Sequence, residues 1–228
     1  MHNTVISAAA LERGRALRGE TSLLALDPAR TAHVVVDLQV GFMAPGSVAE
    51  TPMNLEILAK VDRISAALRA AGGVNVFLRF TYDPGWSGFY GRFAPGREEP
   101  LRSAFTAGAE QHALWPQMDV QPQDLILDKT RFSALIPGTC DLDAEMKARG
   151  IDTLVVTGCV SNCCCESTIR DAVQMNYKVV FVQDGNAAAS DSDHNGAVAD
   201  LYSLFGCDIS TADEVVKRIK TAASGGEA

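Results

Sequence analysis

The segment DTLVVTGCVSNCCCES, residues 152–167, runs from a short apolar stretch through a glycine into a turn that holds four of the chain's six cysteines. Residues 152–158 predict a β-strand, because the stretch is short, rich in β-branched side chains and closed by glycine. Residues 162–176 have helical periodicity, so the cysteines lie where a helix follows a strand. This order is typical of an α/β sheet.

The same alternation continues in both directions along the chain. The other predicted strands are 32–38, 75–80, 124–129, 177–184 and a short edge strand at 207–210. The other predicted helices are 54–71, 141–150, 191–206 and 211–221. The pattern predicts a parallel sheet with helices on both faces, which right-handed crossovers turn into a three-layer, doubly wound α/β fold.

A single domain is expected for residues 1–228, because 47% hydrophobic and 21% charged residues are ordinary for one globular core. We expect residues 1–25 to form a loosely held N-terminal extension and residues 222–228 a flexible tail. Segment 81–123 is long and rich in glycine, proline and aromatic residues. Such a long loop predicts a lid or a binding loop.

The net charge of −8 and the lack of a basic run argue against nucleic acid or an anionic membrane surface as a partner. No apolar run reaches the roughly 20 residues that cross a bilayer. Residues 1–20 lack the charged start and long apolar centre of a signal peptide. We therefore expect a cytoplasmic protein with reduced thiols.

Three chemically capable groups follow predicted strands: Asp37, Lys129 and the cysteine cluster. In a doubly wound sheet, ligands bind beyond the carboxyl ends of the strands. A helix N-terminus and a nearby lysine favour a thiolate, and an aspartate can accept the thiol proton. The three groups together predict an acyl-transfer site without histidine.

Each residue also has an ordinary structural interpretation. Asp37 could cap a turn, Lys129 could be a solvated loop residue, and a cysteine is often a small core side chain. What favours the functional interpretation is that all three lie at equivalent strand ends.

Helical projection separates the three consecutive cysteines. Cys165 shares an apolar face with Ile169 and is expected to pack on the sheet, whereas Cys163 shares a polar face with Arg170. Cys164 lies between these faces and is the favoured nucleophile. The remaining cysteines are assigned to the turn or to packing: Cys159, Cys140 and Cys207.

Metal binding is the competing interpretation of the cluster. Four cysteines at one helix start do not converge easily on one zinc ion, and no CxxC motif is present. The four histidines form no local pattern: His2, His33, His112 and His194. We expect no metal and no cofactor.

Three motifs in order resemble the isochorismatase-like cysteine hydrolase family. They are VVVDLQVGF (34–42), KTRFSALIPGT (129–139) and TGCVSNCCCESTIRDAVQMNY (157–177), and the resemblance spans about residues 30–220. It implies a six-stranded sheet in the order 3-2-1-4-5-6 and an Asp37–Lys129–Cys164 triad. It also implies a cis peptide between Cys159 and Val160, with the N–H groups of Val160 and Cys164 facing an oxyanion.

The resemblance implies hydrolysis of an amide or ureide, as in ureidoacrylate and N-carbamoyl amidohydrolases, and a homodimer or homotetramer. Two alternatives stay open: cleavage of a vinyl ether, as by isochorismatase, and a non-catalytic binding protein on the same fold. A nicotinamidase is disfavoured, because the histidines of that branch's metal site are missing. The chain departs from the family pattern at Ser161, Leu135 and Asn176.

Aromatic residues are the candidates for the substrate pocket. We predict that Phe42, Trp86, Tyr90 and Phe132 bind substrate, with Phe89 beside them. Three arginines are candidates to hold a substrate carboxylate, although the favoured interpretation of each is a solvated surface side chain: Arg79, Arg92 and Arg97.

Overall fold

The computed structural model describes residues 1–19 and 23–225. These residues form a six-stranded sheet in the order β3-β2-β1-β4-β5-β6, and every strand pair is parallel. The predicted doubly wound α/β fold and its strand order are therefore confirmed. The strands are β1 (Thr31–Val36), β2 (Val74–Phe80), β3 (Leu125–Lys129), β4 (Thr153–Cys159), β5 (Lys178–Ala187) and β6 (Asp208–Ser210).

Helices connect the strands and cover both faces of the sheet. They are α1 (Ala8–Arg18), α2 (Val40–Met43), α3 (Asn54–Ala70), α4 (Ser87–Phe93), α5 (Glu98–Phe105), α6 (Leu142–Ala148), α7 (Glu166–Gln174), α8 (Asp191–Ser203) and α9 (Ala212–Ala223). A π-helical turn, Ser161–Cys165, leads from β4 into α7. None of these helices has both the length and the apolar character to cross a membrane.

The two-residue period of the strands supplies a core on each face. In β4, Leu154 and Val156 pack in one core with Ile169 of α7. Val155, between them, packs in the opposite core with Ile64 of α3 and with α9. Because both faces are covered, the central strands β1 and β4 are buried at every position.

The described N-terminal residues are not the loose extension that we predicted. Helix α1 packs along α8, and the Nε–H of Arg13 donates to Oγ of Ser203 at 3.0 Å. The partners lie 190 residues apart in sequence, so no local pattern reveals them. The parts of the predicted extension and tail at 20–22 and 226–228 lie outside the described residues.

Segment 81–123 contains helices α4 and α5 rather than one long loop. Phe105, at the end of α5, is fully buried and packs against Phe80 at the carboxyl end of β2. The aromatic rings that made the segment unusual therefore anchor it over the carboxyl edge of the sheet.

Candidate active site

The three predicted groups meet where the strand order reverses, between β1 and β4. Asp37 follows β1, Lys129 ends β3, and Cys164 lies in the turn after β4. Gly158 permits a close approach here, since a Cβ atom on it would lie 2.1 Å from the Val36 carbonyl oxygen, and its φ is +119°. A side chain at this position would push β4 away from β1 and separate the three groups.

Asp37 adopts a left-handed backbone conformation, with φ of 54°. This conformation costs a non-glycine residue roughly 1–3 kcal/mol, and it persists where the surroundings impose it. Here the Asp37 N–H donates to the Leu78 carbonyl at 3.1 Å, and the Gln39 N–H donates to the Asp37 carbonyl at 2.8 Å. The strained turn ends β1 at the site.

Asp37 and Lys129 form a fully buried ion pair, with Nζ 2.7 Å from Oδ2 and neither side chain exposed. Burial raises the pKa of Asp37, while the Lys129 charge opposes that rise. Burial alone would lower the pKa of Lys129, but attraction to Asp37 and Cys164 outweighs it and the pKa is raised. Lys129 is therefore a permanent cation beside the carboxyl group.

The Asp37 carboxylate has unused capacity to accept a proton. Apart from the ion pair, neither of its buried oxygens has a hydrogen-bond partner of ordinary geometry among the described residues. The Cys164 thiol lies close enough to lower the pKa of Asp37 as a hydrogen-bond donor. A buried carboxyl group with unpaired oxygens next to a thiol is the arrangement that a general base requires.

The three consecutive cysteines occupy the environments that helical projection predicted. Cys165 is fully buried in the core beside the sheet, and Cys163 is half-buried. Cys164 is 7% exposed and lines a cavity together with Cys163. The peptide between Cys159 and Val160 is cis, as the family resemblance implied.

The structure corrects our expectation that the helix start and the nearby lysine favour a Cys164 thiolate. A hydrogen bond with Cys163 and burial raise the pKa of Cys164 well above its ordinary value, against the opposing effect of Lys129. The same hydrogen bond lowers the pKa of Cys163. Cys164 therefore rests as a thiol, and its proton must be removed during a reaction. Sequence could not show this, because it does not reveal how deeply the turn is buried.

The cavity in front of Cys164 has a volume of about 590 Å³. It is lined by Phe42, Ser47, Val48, Ala49, Glu50, Phe80, Phe89, Tyr90, Ala94, Arg97, Leu101, Phe105, Phe132, Val160, Cys163 and Cys164. Three of the four predicted substrate-binding residues are among them. The fourth, Trp86, lies one layer behind, where its ring stacks on Phe89 at 4.3 Å and lines a neighbouring groove.

Tyr90 is almost completely buried, and its hydroxyl has no hydrogen-bond partner among the described residues. Burial raises its pKa to about 12. Of the three candidate arginines, only Arg97 lines the cavity; Arg79 pairs instead with Asp128 at 2.8 Å. Nη2 of Arg97 donates to the Val48 carbonyl at 2.6 Å, at the exposed rim.

Sequence reasoning missed Phe80, Leu101 and Phe105 as lining residues. Phe80 carried a usable signal, since it ends a strand at the same sheet edge as Lys129, its register partner. Leu101 and Phe105 carried none, because they belong to a helix that was not predicted. Within residues 1–19 and 23–225, no three His, Cys, Asp or Glu side chains are grouped to hold a metal ion.

Comparison with known proteins identifies the family of this chain and several of its relatives. The family model for the isochorismatase domain matches residues 31–214. Over 222 residues the chain is 32% identical to the ureidoacrylate amidohydrolase RutB of Variovorax paradoxus, covering 87% of this chain and 85% of that protein. The RutB protein of Methylobacterium radiotolerans is 30% identical over 201 residues, or 80% and 77% of the two chains.

A solved structure shows the same similarity in three dimensions. The crystal structure of a cysteine hydrolase from Pseudomonas syringae pv. phaseolicola superposes with a TM-score of 0.79 at 29% identity. The match covers 89% of this chain and 99% of that one.

Proposed function

The chain belongs to the isochorismatase family of hydrolases, and from this premise we propose that it is an amidohydrolase whose nucleophile is the Cys164 thiol. The observation that carries the proposal is the buried Asp37–Lys129 pair, whose carboxylate oxygens are otherwise unsatisfied, beside a thiol on a cavity wall. The relatives' printed names, amidohydrolase and cysteine hydrolase, support it.

In the first half-reaction, Asp37 accepts the Cys164 proton and the sulfur attacks the amide carbonyl. The C–N bond of the tetrahedral intermediate then breaks, and Asp37 returns the proton to the leaving nitrogen, which departs as ammonia or an amine. The products of this step are the free nitrogen base and an acyl group on Cys164, which is a thioester from an amide and a thiocarbamate from a ureide or N-carbamoyl compound. Lys129 keeps Asp37 ionised at the start of each cycle.

The negative charge of the tetrahedral intermediate needs hydrogen-bond donors. We assign them to the N–H groups of Val160 and Cys164. The Val160 side of the turn lines the cavity, and the Val160 carbonyl is occupied by the N–H groups of Cys163 and Cys165 at 3.1 and 3.3 Å. The turn is thus held by its neighbours, as a preorganised oxyanion site requires.

In the second half-reaction, water attacks the thioester or thiocarbamate carbonyl while Asp37 takes one of its protons. The C–S bond breaks, the acid leaves, and Asp37 returns the proton to the Cys164 sulfur. Every proton moves through one carboxyl group, so no histidine is required. The substrate is an amide or an N-carbamoyl compound, which leaves a carboxylic or carbamic acid.

A screen of amides, ureides and vinyl ethers tests this function. The expected result is ammonia or amine release from at least one amide or ureide, measured by a coupled assay. Pyruvate release from a vinyl ether alone would favour isochorismatase chemistry. Binding of these compounds without any product would favour a non-catalytic protein.

A further inference from the structure

The walls of the cavity are built from aromatic rings that support one another. Phe105 packs against Phe42 and Phe80, with ring centroids 4.8 and 5.4 Å apart. On α4 and the loop after β3, Phe89 packs edge-to-face on Phe132 at 5.3 Å. Rings held in this way form a fixed apolar surface in advance of ligand binding.

Of the polar side chains in the lining, Ser47 and Glu50 are already engaged, whereas the buried Tyr90 hydroxyl is neutral and has no hydrogen-bond partner among the described residues. Oγ of Ser47 donates to the Gly41 carbonyl at 2.9 Å, and Oε2 of Glu50 accepts from the Gly46 N–H at 2.7 Å. The Lys129 cation behind the cavity is bound by Asp37. A carboxylate bound between the rings would therefore lose its hydration without gaining a buried cation from the described lining residues.

The volume of the cavity favours a ligand that is larger than a few heavy atoms. Its volume of about 590 Å³ falls within the roughly 300–1,000 Å³ of sites that enclose drug-sized ligands. A substrate with only a few heavy atoms would leave most of the aromatic wall in contact with water.

We propose that the substrate is a primary amide or ureide that carries a neutral aromatic group, and this inference rests on the proposed function. The ring fills the space between Phe89 and Phe105, and the carbonyl lies at Cys164. Any charged end projects to the rim, where Arg97 and Glu50 are exposed.

Two matched pairs of probes test the inference: phenylacetamide against acetamide, and benzylurea against methylurea. We expect kcat/KM for ammonia release to be at least about 100-fold higher for each aromatic probe, since each added carbon in an apolar pocket is worth roughly 10–200-fold. The variant Phe89→Ala should reduce this ratio about tenfold. The control Leu204→Ala, a side chain 53% exposed outside the cavity, should leave the ratio unchanged.

Protection of Cys164 from iodoacetamide, measured by peptide mass in the Cys163→Ala variant because both thiols line the cavity, separates this inference from the proposed function. We expect phenylacetamide to protect at concentrations at least about tenfold below those of acetamide, whether or not it is hydrolysed. Equal protection, or ammonia release that is equally fast from the small probes, would overturn the aromatic preference. Absence of ammonia from all four probes would instead count against the proposed function.

A second inference concerns the N-terminal residues, which pack behind the nucleophile turn. The Ala188 N–H donates to His2 Nε2 at 2.9 Å, which leaves His2 Nδ1 to donate to Asp191 at 2.8 Å. The His2 ring stacks on His194, with centroids 4.5 Å apart. Nδ1 of His194 lies 2.8 Å from the hydroxyl of Ser161, which is buried three residues before Cys164.

We infer that His194, held by His2, is a positioning residue that fixes the turn carrying Cys164 through Ser161. None of the three side chains lines the cavity, so their effect on the reaction passes through backbone geometry alone. Displacing a reacting group by about 1 Å can cost roughly 100-fold in rate. The N-terminal segment thus supports the turn that carries Cys164 on the side away from the cavity.

Substitutions at Ser161 and His2 test this role. We expect Ser161→Ala to lower kcat at least about tenfold with little change in KM, and Ser161→Thr, which keeps the hydroxyl, to retain activity. We expect His2→Ala to lower kcat in the same way. The matched control Val5→Ala removes an exposed side chain from the same segment and should have no effect. If Ser161→Ala lost thermal stability but kept its kcat, the contact between Ser161 and His194 would have a structural role only, and the inference would be wrong.

Discussion

Replacement of Cys164 by alanine is expected to abolish turnover, with a loss of at least about 10⁴-fold in kcat, the scale seen when a nucleophile is removed. Cys164 lines the cavity, and its thiol contributes to the pKa shifts of both Asp37 and Lys129. The alanine variant has no sulfur at that position. The measurement is steady-state ammonia release from the best substrate of the screen.

The neighbouring thiols provide matched controls. We expect Cys163→Ala and Cys165→Ala to keep most of the activity, since Cys165 is sealed in the core and Cys163 faces the cavity without a role in the proposed proton transfer. Because Cys163 forms the hydrogen bond that raises the pKa of Cys164, its removal should also lower that pKa. Inactivation by Cys163→Ala, with activity retained in Cys164→Ala, would reverse the assignment.

Replacement of Lys129 by methionine is expected to damage both activity and stability. The variant leaves Asp37 buried without its cation, which raises the Asp37 pKa further and protonates the base. We expect a loss of roughly 10²–10⁴-fold in kcat/KM. We also expect a loss of roughly 3–5 kcal/mol in the free energy of unfolding, as measured in urea.

The pH dependence of this variant has a defined sign. Asp37 would bind its proton more tightly in the folded than in the unfolded state, so the folded state holds more protons above the ordinary carboxyl pKa of about 4. Relative to the wild-type chain, the free energy of unfolding of Lys129→Met should therefore fall as pH rises through that range. A stability difference between the two proteins that does not change with pH would show that the Asp37 pKa does not depend on Lys129.

A double variant separates stability from catalysis. In Asp37→Asn with Lys129→Met, no buried charge remains, so much of the lost stability should return. Activity should not return, because the proposed base is gone. Recovery of both in the double variant would contradict the role assigned to the pair.

Much of the fold could be predicted from local patterns, because a parallel sheet covered on both faces requires short runs of β-branched residues such as β1. The periodicity of one helix was also enough to separate Cys164 from Cys165. Residues in segment 81–123 were harder, since α4 contains two glycines and spans only seven residues. Helix propensity is weak in such a segment, and tertiary contacts decide its structure.

Properties that depend on burial and on tertiary contacts could not be predicted from the sequence. The protonation of Cys164 depends on its hydrogen bond with Cys163 and on how deeply the turn is buried. The order of the N-terminus depends on His194, 192 residues from His2 in the numbering of the chain. Trp86 had the right chemistry for the cavity wall but packs behind Phe89. In each case the residue type was informative, but the sequence does not reveal which residues surround it in the fold.

The most direct test of a cysteine nucleophile is the location of the acyl group during turnover. Enzyme quenched in acid while hydrolysing its best substrate should carry one acyl mass, which tryptic digestion places in residues 150–170, the peptide with Cys159, Cys163, Cys164 and Cys165. Fragmentation should locate the group on Cys164, and it should persist in a variant with Cys163→Ala and Cys165→Ala. An adduct on Cys163, or turnover with no acyl-enzyme in a quenched single-turnover experiment, would contradict the account.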